Sequence, residues 1–201
     1  MTWLLVLAAY LIGATPTSYL VGRMVRGIDL REHGSGNLGA TNAFRVLGWR
    51  AAVPVMLVDV AKGWAPTVLF PQWDGVPVAE WALAYGAAAI LGHVFSLYVG
   101  FRGGKGVATS AGVFLALAPW AVLIGFIVWG VTVTLTRIVS LASLLAAVVL
   151  PVAVFVTNEP PIELGLAVGL SAFVIYAHRT NIQRLLRGEE SRFGSREKEA
   201  G

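Results

Sequence analysis

The sequence predicts an all-α polytopic membrane protein of seven transmembrane helices, with its N-terminus outside and its C-terminus in the cytoplasm. Three observations lead there. Of 201 residues 57% are hydrophobic and only 13% charged, about half the charge that a soluble domain carries. The apolar residues fall into long runs separated by short polar stretches. The basic residues, finally, are distributed almost entirely to one side of those runs. A chain of this size with one hydrophobic class throughout reads as a single integral membrane domain over 1–201. Cysteine is absent and the three histidines, His33, His93 and His178, are far apart, so a disulfide framework, a thiol nucleophile and a local metal motif are all excluded.

The first run, residues 2–22, has no charge and is long enough to cross a hydrocarbon core of about 30 Å. No Lys or Arg precedes Arg23, so it lacks the basic n-region of a cleaved signal peptide. Residues 23–50 read as a polar loop with five arginines. Within it lies Gly34-Ser35-Gly36-Asn37-Leu38-Gly39-Ala40-Thr41-Asn42-Ala43-Phe44-Arg45. Its glycines permit positive φ and let backbone N–H groups converge on an anion. Ser35, Asn37, Thr41 and Asn42 add donors, and Arg45 adds a guanidinium fork suited to phosphate. A polar turn between helices is the plainer alternative; the density of donors ending in an arginine favours an anion site.

The second span covers 51–70, with Pro54 in its first turn. It contains Asp59 and Lys62, three residues apart on one helix face, read as a structural ion pair or as a pair near the substrate. Residues 71–78 read as a loop and 79–99 as the third span. Gly100-Phe101-Arg102-Gly103-Gly104-Lys105-Gly106 then leads into another apolar run, where a helix N-terminus, backbone N–H groups and a lysine make a second anion site. It is not a Walker A loop, since Val99 and Gly106 occupy positions where that pattern needs Gly and Ser or Thr. Residues 107–136 are uncharged and would be about 45 Å long as one helix. Pro119 divides them into spans 107–118 and 120–136. Arg137, Ser140 and Ser143 follow, then spans 138–156 and 164–177, and a polar tail over 178–201 in which 182–187 is amphipathic.

Seven spans place 14 of the 15 basic residues on one side, and Asp74, Glu80, Glu159 and Glu163 on the other without any Lys or Arg. The positive-inside rule makes the basic side cytoplasmic. Trp3, Trp73, Trp81 and Trp120 then gather at the outer boundary as an aromatic belt. Every polar cluster falls at the cytoplasmic face: the 34–45 and 100–106 loops, Arg137 with Ser140 and Ser143, and His178-Arg179-Thr180-Asn181. Together they predict an anionic, phosphate-rich ligand at the inner leaflet. A transporter of a phosphorylated solute is the alternative, but transporters build sites near the midplane in repeated halves, and no repeat is evident.

GSGNLGATNAFR (34–45), DVAKG (59–63), GHVFSLYVGFRGGKGVAT (92–109), TRIVSLAS (136–143) and HRTNIQRLLRGEE (178–190) resemble the bacterial acyl-phosphate:glycerol-3-phosphate acyltransferases, the PlsY family. The resemblance runs from the first span to the tail. Leu38 and Ser96 stand where that family usually has proline. It implies transfer of a fatty acyl group from acyl phosphate to the 1-hydroxyl of sn-glycerol 3-phosphate, giving lysophosphatidic acid and phosphate. By the same resemblance Ser35 and Arg45 match the essential pair of the first motif. Gly103, Gly104, Lys105 and Gly106 match the glycerol-phosphate loop, and His178, Asn181 and Glu190 the polar positions of the third motif. The catalytic set expected is therefore Ser35, Arg45, Lys105, His178 and Asn181. Gly34, Gly36, Asn37, Thr41, Asn42, Arg102, Gly103, Gly104, Gly106, Arg137, Ser140 and Ser143 are expected to bind substrate, with Asp59, Lys62 and Glu190 structural. The expected partners are acyl phosphate, glycerol 3-phosphate and the bilayer, with no cofactor, metal or nucleic acid, and the chain is expected to act as a monomer.

A Ser–His nucleophile pair at Ser35 is possible. The donor is already an activated anhydride, however, and Ser35 is not on a strand–turn–helix elbow. The His-x4-Asp motif of thioester-dependent acyltransferases is absent: the fifth residue after each histidine is Leu38, Tyr98 or Gln183. Electrostatic catalysis by cations, with a donor phosphate oxygen taking the hydroxyl proton, is the expected mechanism.

Overall fold

The structure, a computed structural model, describes residues 1–76 and 78–193; the end of the expected tail, 194–201, lies outside the described residues. All regular elements among them are helices: α1 Thr2–Ala14, α2 Thr17–Arg26, α3 Ala40–Leu47, α4 Trp49–Asp74, α5 Val78–Val94, α6 Val107–Leu117, α7 Pro119–Thr136, α8 Val139–Val156, α9 Pro161–Ala177 and α10 Arg179–Leu186, with single 3-10 turns at Leu30–Glu32 and Leu97–Val99. They form two compact units, Met1–Pro119 and Trp120–Gly201.

Among the described residues five segments are long and apolar enough to cross a membrane: Thr2–Arg26, Trp49–Asp74, Glu80–Val99, Pro119–Thr136 and Val139–Val156. The pair α9–α10, bent by 58°, adds a sixth if it is counted as one span. The expected seventh would be α6, which at 11 residues is only about 16 Å long.

The stretch expected as a polar loop over 23–50 is largely helical. α2 runs on to Arg26 and stops at Gly27, whose φ of 69° is left-handed. α3 begins at Ala40 after Gly39 and ends at Gly48, φ 88°. Because that glycine already starts α4, with the Ala52 amide donating to its carbonyl, Pro54 sits in the second turn rather than the first. α4 also continues through Pro66 and Pro71 to a left-handed Gly75, so 71–74 is helix and not loop. Each interior proline removes one backbone donor, and such gaps persist in apolar helices where neighbouring groups refill them. α9 begins three residues earlier than expected because Pro161 sits at its first turn, where no donor is lost.

In the first unit, glycines let helices touch backbone to backbone. A β-carbon on Gly13 would overlap the Ala89 carbonyl and one on Gly92 the Tyr10 carbonyl, which fixes α1 against α5. Gly63 and Gly112 do the same for α4 and α6, against the carbonyls of Thr109 and Val60. Without water to drive apolar helices together, such close approach is what membrane helices gain from small residues. Phe70, Tyr85 and Ala88 fill the space beside these contacts, and Trp3 meets Trp81 edge-on at 5.8 Å. In the second unit α8 packs on α9. The buried residues there are small or medium: Ala142, Ala147, Ala167, Leu170 and Val174.

Gly112→Ala is expected to destabilise the purified protein by about 1–3 kcal/mol, the usual cost of overpacking. Gly169→Ala, with open space at its β-carbon, should be neutral or stabilising by up to about 1 kcal/mol. Thermal unfolding in detergent checks both, and equal melting of the two variants would refute the close-contact account.

Candidate active site

The first glycine-rich loop is shaped from inside by two buried polar residues. Asn42, on α3 and 1% exposed, accepts a hydrogen bond from the Ser35 amide on Oδ1 at 2.8 Å and donates from Nδ2 to the carbonyls of Leu30 and His33 at 3.1 Å each. A β-carbon on Gly34 would overlap that carboxamide, and Gly34 and Gly36 both hold positive φ, 61° and 70°. Read from sequence as a donor to substrate, Asn42 spends its carboxamide on the loop. Asp29, 5% exposed, takes a fork from Arg31, with Nη2 to Oδ2 at 2.6 Å. The guanidinium outweighs burial and holds the Asp29 carboxyl at about 2. Ser35 and Thr41 face solvent, Asn37 and Arg45 are half-buried. Thr41 and Arg45, four apart on α3, share a face.

The second loop caps α5. The amides of Gly103 and Gly104 donate to the carbonyls of Val94 and His93 at 3.0 and 3.1 Å, so two N–H groups expected to face an anion instead satisfy the helix C-terminus. The glycines are needed for closeness: a β-carbon on Gly103 would strike the His93 carbonyl, and one on Gly104 the His93 ring. Arg102 is exposed and Lys105 half-buried. Gly106, φ 81°, is the N-cap of α6, so Lys105 stands at the positive end of that helix, where an anion is favoured.

The two loops meet. A β-carbon on Gly104 would lie 3.1 Å from the Leu38 carbonyl oxygen, and Arg31 Nη1 donates to the Val99 carbonyl at 3.3 Å. Within this unit the structure thus brings the 34–45 and 102–106 residues into one neighbourhood carrying Arg45 and Lys105. Directly beneath Gly104 lies His93, and beneath it the ion pair read from the sequence: Lys62 Nζ to Asp59 Oδ1 at 2.7 Å. Thr17 Oγ1 donates to the same oxygen at 3.0 Å, Lys62 donates to the Thr15 carbonyl at 2.9 Å, and His93 Nδ1 lies 3.8 Å from it.

In the second unit Glu190 organises the remaining candidates. Its Oε1 accepts from Ser140 Oγ at 2.7 Å and Asn181 Nδ2 at 2.6 Å, and its Oε2 from Arg184 Nε at 2.6 Å. Burial alone would push this carboxyl up, but the three hydrogen bonds and the Arg184 charge outweigh it and hold it below the usual glutamate range. The Phe193 amide donates to the Arg137 carbonyl, which folds the chain after α10 back to the turn before α8. His178 is buried, with Nδ1 2.8 Å from the Val174 carbonyl. Ser143 Oγ accepts from Trp129 Nε1 at 3.4 Å, and Arg137 is exposed.

Asp29, Arg31, His93 and Arg184 hold these groups in place, and the sequence reading assigned none of them a role. Asp29 and Arg31 are two residues apart with no regular period, and only the fold reveals them as a clamp. The first unit offers hydroxyls, amides and cations at its glycine-rich turns, and the second a hydroxyl and a carboxamide held on Glu190, with no cluster of potential metal ligands among the described residues.

The family model described as glycerol-3-phosphate acyltransferase matches residues 3–188. A glycerol-3-phosphate acyltransferase from Synechococcus sp. (strain JA-2-3B'a(2-13)) is 48% identical over 193 residues, covering 96% of this chain and 95% of that protein. One from Fusobacterium nucleatum subsp. nucleatum is 43% identical over 188 residues, covering 94% and 96%. The crystal structure of PlsY (YgiH), an integral membrane glycerol 3-phosphate acyltransferase, in its glycerol 3-phosphate form superposes with a TM-score of 0.89 at 40% identity, covering 96% of each chain. Its lysophosphatidic acid form gives 0.86 at 39% identity, covering 96% of this chain and 95% of that one. A membrane protein with these loops, matched along nearly its whole length, belongs to the glycerol-3-phosphate acyltransferase family, the family of PlsY.

Proposed function

We propose that this acyltransferase takes its acyl group from acyl phosphate and delivers it to the 1-hydroxyl of sn-glycerol 3-phosphate, releasing phosphate and lysophosphatidic acid. The observation that carries the reading is the meeting of the two glycine-rich loops, one bearing Arg45 and the other Lys105 at a helix N-terminus. Two phosphates take part in the reaction, and two cationic turns side by side suit them. The glycerol 3-phosphate and lysophosphatidic acid forms of the related structures support the acceptor and the product. Absence of a His-x4-Asp motif supports a donor other than a thioester.

In the proposed reaction the 1-hydroxyl oxygen attacks the acyl carbonyl carbon. The new ester C–O bond forms, the bond from that carbon to the phosphate oxygen breaks, and the hydroxyl proton passes to the departing phosphate. No protein base is consumed. Lys105, with Arg102 and the start of α6, holds the acceptor's phosphate. Arg45 with Ser35, Asn37 and Thr41 holds the donor's and stabilises charge as it develops. In this proposal His178 and Asn181 act on the substrates and Ser140, Ser143 and Arg137 bind them, while Glu190 keeps Asn181 and Ser140 in position. The chain acts as a monomer.

The proposed topology has seven crossings, with the N-terminus outside and the site at the cytoplasmic face, as the charge distribution supports. The chain lacks cysteine, so single substitutions report cleanly. Gly75→Cys and Asn158→Cys should react with an impermeant maleimide on intact cells, and Glu32→Cys and Arg187→Cys only after permeabilisation. Labelling of Asn158→Cys and Arg187→Cys from the same side would refute the seven-span count.

Acyl transfer by the purified protein, followed with labelled glycerol 3-phosphate, tests the reaction itself. Arg45→Ala and Lys105→Ala should each lose about 2–4 kcal/mol of transition-state stabilisation while remaining folded, the scale seen when an electrostatic donor is removed. Near-normal turnover in a folded Arg45→Ala protein would remove the first loop from the site.

Ser35 distinguishes orientation from covalent catalysis. Ser35→Ala should lose activity, yet wild-type enzyme incubated with acyl phosphate alone should keep its native mass after a quench. An adduct with the mass of one acyl group on Ser35 would replace direct transfer with a covalent route, and efficient use of acyl-CoA would refute the donor assignment.

A further inference from the structure

His93 belongs to none of the loops that carry the candidate cations, and its ring nevertheless touches the one that carries Lys105. It lies at the end of α5, 6% exposed. A β-carbon on Gly104 would overlap its Nε2 and come within 2.9 Å of Cε1, so the loop crosses directly over the ring edge. Its own carbonyl accepts the Gly104 amide at 3.1 Å, so His93 grips Gly104 from the backbone and supports it from the side chain. On the other side of the ring, Nδ1 lies 3.8 Å from Asp59 Oδ1, the oxygen that already receives Lys62 and Thr17. Asp59, Lys62 and Thr17 are all buried. The ring is therefore caught between an ion pair that cannot yield, being tied to α2 and to the Thr15 carbonyl, and a glycine that leaves no slack.

We propose that His93 is a positioning residue for acceptor binding: it sets the height of the Gly104 backbone and thereby aims Lys105 and the first turn of α6 at the phosphate of glycerol 3-phosphate. This rests on the reading above that the 102–106 loop holds that phosphate. The contact with the Leu38 carbonyl transmits the same height to the neighbouring loop. A displacement on the order of 1 Å in a group that orients a substrate is enough to cost large factors in rate, and the ring is the spacer that prevents it.

The geometry makes a test of its own, because the ring and a Gly104 methyl compete for one volume. Gly104→Ala should raise KM for glycerol 3-phosphate by about tenfold or more and leave KM for acyl phosphate within about twofold, a split that general loss of fold does not produce. His93→Ala should show the same split. The double variant His93→Ala/Gly104→Ala should bind glycerol 3-phosphate better than Gly104→Ala alone, since the methyl fills the vacated space; neighbours in contact are non-additive in this way. Should His93→Ala fail to accumulate, His93→Asn, which stays polar beside Asp59 but vacates the Nε2 position, reads the same rescue. A double variant no better than Gly104→Ala, or equal changes in both KM values, overturns the assignment. Lys105→Ala in parallel separates the two levels. If it leaves KM for glycerol 3-phosphate at the wild-type value, the phosphate reading of the loop has failed. If it raises KM while the His93 variants do not, that reading stands and the role of His93 has failed.

Discussion

A proline in the first span creates a demand that the surrounding structure answers. Pro16 interrupts the helix between α1 and α2, so the carbonyls of Ala14 and Thr15 no longer meet the amides four residues on, although that of Thr15 accepts the Thr17 amide at 3.0 Å. At a depth without water such groups need donors from the protein. Ser96 donates to Ala14 and Lys62 to Thr15. Lys62 in turn needs an anion, and Asp59 one turn earlier on α4 supplies it while also accepting from Thr17 at the restart of the helix. Pieces of α1, α2, α4 and the end of α5 are therefore joined by a chain of obligations that starts from one break in a helix. The glycine-rich loops rest on the end of α5 at that junction.

Such a junction is costly in isolation. A buried ion pair recovers its desolvation only when its remaining hydrogen-bond capacity is filled, and here Asp59 Oδ1 has two donors and Lys62 a carbonyl besides its carboxylate. Its value lies in placement. Removing one partner would leave a charge in apolar surroundings, so the arrangement holds one geometry, and a site built above it inherits that fixity. The Glu190 cluster in the second unit follows the same logic with neutral donors and one arginine, closing the tail onto the start of α8 without burying a second ion pair.

Much of this was legible in the sequence because membrane residence exaggerates patterns. Apolar runs gave the long helices, Pro119 gave the break between α6 and α7, and Asp59 and Lys62 showed their pairing by spacing alone. The loops suggested an anion site but hid how their own groups are used. Gly103 and Gly104 read as donors of N–H groups, yet those amides cap α5; Asn42 read as a ligand for substrate, yet it holds Ser35 from below. In both cases the residue type was informative, while its partner was decided by a chain reversal that no local spacing encodes. Likewise Gly13, Gly63, Gly92 and Gly112 looked like ordinary apolar-helix glycines, and their use as contact points appears only when two helices are laid together. α3 was hidden because it is only eight residues long and carries Thr41, Asn42 and Arg45 directly after a glycine-rich stretch; its apolar side packs on α4.

The shortness of α6 has a consequence for where water and oil meet. Its contact with α4 is centred on Gly63 and Gly112, close to the middle of both helices. α4 extends 14 and 11 residues beyond that crossing while α6 extends only five in each direction. At 1.5 Å per residue, both ends of α6 stop about 9 Å or more short of the ends of α4, and any tilt enlarges the deficit. The Lys105 turn is thus countersunk relative to its longest neighbour. On the proposed function, a small hydrophilic acceptor would have to descend below the end of α4 to reach it, and a lipid-dissolved donor would scarcely have to lift its carbonyl out of the acyl phase. Hydrophobic mismatch, ordinarily a strain that a membrane protein must absorb, would on that proposal be the means by which reagents of opposite solubility share one level.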